Sequence, residues 1–217
     1  MKTTTATKYR SNPELNKTSY NPNAPILMNG LVRKNRIIGI YGNAYARGIG
    51  LTLACDLATG RDFQHYKNVA EDEYFVQHIS ERHSESVVAD LDHYVEQTGK
   101  EPDVVLLKYS DVVNGFEAIE DFIDSTTDID SDASPIIVFE SVINMDKETA
   151  SHLFDLIYAL DATLIITSDS AKPDEQFLFH SDSLIKVGAD KTVHVEKALN
   201  VKQDNNEFHF IDSREVH

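Results

Sequence analysis

Residues 36–63 read RIIGIYGNAYARGIGLTLACDLATGRDF, and how this stretch divides decides the fold. The apolar run IIGIY predicts a buried strand over 37–41. Leu51, Leu53, Ala54, Leu57 and Ala58 predict a helix with a wide apolar face, closed by Thr59-Gly60. Between them lies a glycine-bearing loop of the shape that holds phosphates. A Walker A loop reads G-x-x-x-x-G-K-[ST]: its glycines let backbone N–H groups wrap phosphate, and its lysine and hydroxyl meet phosphate and magnesium. From Gly42 this chain reads GNAYARGI, which puts Arg47 at the second glycine, Gly48 at the lysine and Ile49 at the hydroxyl. The stretch predicts the architecture of a nucleotide site with much of its chemistry missing.

Outward from the loop, strands and helices alternate. Residues 74–79 (YFVQHI) predict a strand, and Val87, Val88, Leu91 and Val95 predict one face of a helix running from about Ser80-Glu81 to Gln97, with Gly99 as its cap. Strands are predicted over 103–108 (DVVLLK), 135–139 (PIIVF) and 163–167, and helices over 115–123 and around Leu153, Leu156, Ile157 and Leu160. Such alternation predicts βαβ units in a mainly parallel sheet covered on both faces. The end differs: short segments at 183–187, 191–195 and 207–211 predict an antiparallel meander at the sheet edge. Residues 1–25 are polar, with Asn-Pro at two places, and predict an extended arm ahead of one α/β domain over 26–217.

Composition narrows the function classes. A length of 217 residues suits one domain with a proper core. A net charge of −16 disfavours nucleic acid as a direct partner, because neutralising phosphates needs a basic patch, and favours protein partners of opposite charge. The single cysteine, Cys55, falls among apolar helix positions and reads as a structural thiol in a reducing compartment. No apolar run approaches the ~20 residues of a membrane span, and the basic, Thr-rich start lacks the apolar core of a secretory signal. A cytoplasmic protein without membrane partners is expected. The run 124–132 imitates the start of a calcium loop at Asp128, Asp130 and Asp132. It lacks the glycine at the sixth place, and Phe139 stands where the bidentate glutamate belongs, so a solvated acidic loop is expected. His78, His83 and His93 have neither cysteine partners nor H-E-x-x-H spacing, and no metal site is expected.

In this order of elements the chain resembles RecA-type ATPase domains, both RecA recombinases and plasmid replicative helicases of the RepA type, over about 25–211. The helix ending LATGRDF resembles the helicases. DVVLLK, ahead of the strand closing on FES, resembles the recombinases, and TSDSAKP with the terminal hairpins suits either group. The resemblance implies a RecA-like three-layer α/β sandwich with a mainly parallel sheet and antiparallel C-terminal edge strands. It implies nucleotide-binding positions at Gly42, Asn43, Arg47 and Gly48, a Walker B position at Glu140-Ser141, a catalytic glutamate at Glu81 and a sensor position at Ser168 and Asp169 followed by Lys172. ATP and Mg2+ are implied as cofactors only where the altered loop still binds them. An oligomer with the site at a subunit boundary is also implied.

Losing the lysine and the hydroxyl together removes central parts of a phosphoryl-transfer site, although a helix N-terminus that favours anions still follows the loop. The resemblance then implies a phage or plasmid protein whose nucleotide site has decayed, a scaffold or regulator in DNA replication or recombination rather than an efficient ATPase. Two alternatives stand beside it. One is a divergent ATPase using Arg47, Glu81 and Glu140; the other is an acidic protein that inhibits a nucleic-acid-binding partner.

Overall fold

A computed structural model describes residues 24–108, 133–140, 162–173, 175–197 and 207–209. The helices expected at 115–123 and around 153–160, the acidic run 124–132 and residues 1–23 of the arm lie outside them. A small hairpin opens the described chain, β1 (Ile26–Met28) against β2 (Val32–Arg33), turning at Asn29-Gly30 where Gly30 has φ 84°.

The eight-stranded sheet is built around β3 (Ile37–Tyr41), whose five residues are all buried. The other strands are β4 (Tyr74–Ser80), β5 (Val104–Lys108), β6 (Ser134–Phe139), β7 (Thr163–Ser168), β8 (Ser183–Val187), β9 (Thr192–Lys197) and β10 (Glu207–His209). Their order is β10-β9-β8-β3-β7-β6-β4-β5, parallel from β8 to β5. The fold is α/β, with antiparallel strands at one edge.

The terminal strands form the expected antiparallel meander: β8 pairs antiparallel with β9 and β9 with β10, while β8 also joins β3 in parallel (Ile38↔Ser183 to Tyr41↔Lys186). A short helix, α3 (Glu175–His180), carries the chain back to the start of β3; α1 and α2 precede it in the chain and are defined below. There Asp182 accepts from the Ile37 N–H through Oδ2 (3.0 Å) and donates its own N–H to the Ile37 carbonyl (2.8 Å).

Strand alternation sorts the two faces. Ile38, Ile40, Val76, Ile136, Val138 and Ile165 join the core formed with α1 (Tyr45–Ala58), whose Ile49, Leu53 and Leu57 are at most 1% exposed. Burying each such side chain contributes about 1.5 to 3 kcal/mol. Close approach of α1 to the sheet depends on Gly50, where a Cβ would lie 2.6 Å from Thr167 Cγ2. The opposite face of β3 meets α3, with Tyr41 and Phe177 in an edge-to-face contact at 6.3 Å. These helices make three layers.

Helix α2 (Ser84–Thr98) ends on Gly99 in the left-handed conformation (φ 63°), its N–H on the Val95 carbonyl at 2.8 Å. It packs beside α1 through Val87 and Tyr94, with Leu91 and Val95 partly buried against Leu51 and Cys55. Val88, expected on the same face, is 42% exposed. Consecutive positions on a helix are about 100° apart, so 87 and 88 cannot both sit at the centre of one face. No helix among the described residues is long and apolar enough to cross a membrane.

Candidate functional site

Six parallel strands deliver their C-terminal ends to one edge, where α/β sheets bind ligands. At its centre the β3–α1 connection is Gly42, Asn43 and Ala44 alone, because α1 starts at Tyr45. The positions that a phosphate loop would hold open, up to Gly48, are already helical. Gly42 sits at φ 134° with its N–H on the Ser168 carbonyl (3.2 Å), and a Cβ there would fall 2.1 Å from the Val187 carbonyl oxygen. The turn is pressed against β8.

Asn43 fixes that closure from both ends. Its Oδ1 accepts from the Tyr45 N–H (2.9 Å), and its Nδ2 donates to the carbonyls of Val187 (3.2 Å) and Gly188 (2.8 Å). The side chain therefore takes up a donor at the start of α1, the kind of group that would face an anion. Lys191, on the β8–β9 turn, lies over the Tyr45 ring at 4.9 Å. Replacing Asn43 with alanine removes two hydrogen bonds that tie the turn to the end of β8 and one that caps the start of α1, and should lower stability by about 1 to 2 kcal/mol, read from the urea midpoint. An unchanged midpoint would show that the turn holds without them.

Of the residues singled out in the sequence, the fold brings Arg47 to Asp169, with Nη2 2.7 Å from Oδ2 and both side chains about one quarter exposed (27% and 26%). Gly48 lies one residue further along α1. Lys172 is exposed, its N–H on Ser170 Oγ (3.1 Å). Glu81 is exposed as well.

Glu140 is different. It follows β6 and is 2% exposed. Arg82 donates to it through Nε (2.7 Å, to Oε2) and Nη2 (2.5 Å, to Oε1), while its Nη1 reaches Asp90 Oδ2 on α2 (2.7 Å). Ser80 Oγ also donates to Glu140 Oε2, and His78 Nε2 lies 3.4 Å from Oε1, outside hydrogen-bond alignment. Burial by itself would raise the Glu140 pKa, but His78, Arg82 and Ser80 outweigh it and hold the carboxyl down at about 2.

One signal for this cluster was present: His78, Ser80 and Arg82 alternate, as side chains sharing one side of a strand and its continuation do. What joins it to Glu140 is the β4–β6 register, Ile79↔Phe139, which no local pattern reveals.

These residues do not fit a magnesium nucleotide. The turn is closed by Asn43, the one nearby guanidinium on α1 is paired with Asp169, and the carboxylate that would face magnesium is bonded to Arg82.

No protein-family model and no curated protein matches the sequence. Among solved structures the chain is similar to a prototypical ATPase from the type III secretion system of pathogenic bacteria. That likeness has 12% identity and a TM-score of 0.46, covering 73% of this chain and 52% of the other. It is also similar to the assembled ATPase EscN of the enteropathogenic E. coli type III secretion system, at 13% identity and TM-score 0.44, covering 70% and 42%. The chain thus spans about half the length of these proteins or less, and TM-scores below 0.5 establish neither family nor activity.

Proposed function

We infer that this chain is a protein on a P-loop-ATPase-like sheet that does not hydrolyse nucleotide and acts through protein contacts. The observation that supports this best is the commitment of Glu140: a buried carboxylate at the sheet's ligand-facing edge, already bonded to a guanidinium of its own chain. A divalent cation there would have to displace Arg82. The short turn at Gly42 supports the same reading independently.

The setting, a scaffold or regulator in phage or plasmid DNA replication or recombination, comes from the sequence resemblance, as does a homo-oligomer. A net charge of −16 favours protein over DNA as the partner. In an assay with ATP and Mg2+, the wild-type chain and Glu140→Gln should release phosphate at the same background rate. Turnover by the wild-type chain that Glu140→Gln abolishes would establish the divergent-ATPase alternative instead.

A further inference from the structure

We propose that the outer edge of β5 is a docking edge for an extended, lysine- or arginine-bearing segment of a partner protein, which adds to the sheet as a further strand. Among the described residues β5 ends the sheet and pairs only with β4. Its pairing fixes which backbone groups face out. The Val76 N–H donates to the Asp103 carbonyl (2.8 Å), and a parallel ladder uses alternate residues. Asp103, Val105 and Leu107 therefore turn their backbone groups to β4, and Val104 and Leu106 turn theirs outward.

Among the described residues nothing bonds to those outward groups. The strand is also only half-buried along Val104, Val105, Leu106 and Leu107, although Val104 and Leu106 pack against the core. Proteins blunt such edges with proline, bulges or charges; here Pro102 stands just before the strand and Lys108 closes it, while Val104 to Leu107 between them carry none of these. Aliphatic edge stretches of this kind are templates that strand addition uses.

Charge selects the occupant. Glu85, Asp92 and Glu96 on α2, with Glu101 and Asp103 leading into β5, are exposed and form no ion pair among the described residues; Lys100 and Lys108 are the exposed cations between and after them. The helix before β5 and the segment leading into it are thus rich in exposed carboxylates, and an arriving strand that carries aliphatic residues with basic residues beside them complements that charge. A second copy of this chain brings the same carboxylates and a net charge of −16, which opposes pairing of two such edges.

The proposal rests on the protein-contact reading for the existence of a partner, while its test reads a different property from phosphate release, so either can fail alone. The full chain is titrated, by fluorescence anisotropy, against a labelled peptide of alternating lysine and valine. Saturable binding is expected, weakened by added salt. Val104→Pro removes one outward N–H at the first residue of an edge strand, where proline is tolerated, and should weaken binding about tenfold with little change in melting temperature. Asp92→Lys with Glu96→Lys, on the exposed side of α2, should weaken it similarly and flatten the salt dependence, which keeps the test decisive if the proline variant misfolds. Absence of binding overturns the proposal. So does equal binding of the peptide with glutamate in place of lysine, or unchanged affinity in both variants. A dimer seen by sedimentation that Val104→Pro dissolves would assign the edge to a second copy instead.

Discussion

Arg82→Ala should destabilise the fold by about 3 to 5 kcal/mol, the range for removing one partner of a buried ion pair. Its guanidinium supplies two bonds to Glu140 and one to Asp90, joining the ends of β4 and β6 to α2. Without it, a carboxylate that is 2% exposed keeps only Ser80 and the neighbouring His78, so fewer groups offset the cost of its burial. Arg82→Lys should recover only part of the loss, because an ammonium cannot make the two parallel bonds of the planar fork. Combining Arg82→Ala with Glu140→Gln removes the orphaned charge and should restore a large share of the stability, which a double-mutant cycle from urea unfolding measures. A single-mutant cost below about 1 kcal/mol, the ordinary value of a surface pair, would refute the idea that this cluster locks the sheet edge.

The native pairing also has an acid limit. Glu140 has its pKa lowered to about 2 from 4.5, so its stabilising contribution is present above 4.5 and is lost as pH falls through 2.

What was legible in the sequence was what depends on local pattern. IIGIY reads as a buried strand because every residue is apolar, and Gly99 reads as a helix end because only a residue tolerant of positive φ stops α2 there. That β8, which opens the antiparallel meander, also pairs in parallel with β3 was not legible, because pairing is a tertiary property: the short α3 that returns the chain to β3 left little periodicity to read, and the Asp182–Ile37 bond that seats it spans 145 residues. The site was half legible for a similar reason. GNAYARGI shows which phosphate-loop residues are missing, but not that Asn43 closes the turn, since its partners are carbonyls on β8. Glu140 could be placed at a strand end from sequence. That it is bonded to Arg82, with the adjacent Glu81 left exposed, depends on which side of the β4 continuation faces β6.

The opposite pH dependence should come from Asp56, on the inner side of α1. It is 5% exposed, accepts from the Tyr94 hydroxyl (2.9 Å) across the α1–α2 contact and lies 3.3 Å from Arg61 Nε. Burial pushes its carboxyl up to about 6, against the lowering effects of Tyr94 and Arg61, with Asp62 adding a smaller upward push. A raised acid pKa means that the folded state takes up a proton before the unfolded chain does. The favourable contribution is complete below the unfolded value of 3.8 and is lost as pH rises through 6. Asp56→Asn keeps the shape and an oxygen for Tyr94 but cannot titrate. Its stability relative to wild type should therefore be most favourable near pH 8 and fall by about 2 kcal/mol by pH 4, because wild type alone gains from protonation over that window. Urea unfolding of both proteins across the range measures the difference. Curves that stay parallel would mean that Asp56 ionises in the folded chain as it does in the unfolded one, and that Tyr94 and Arg61 fully compensate its burial.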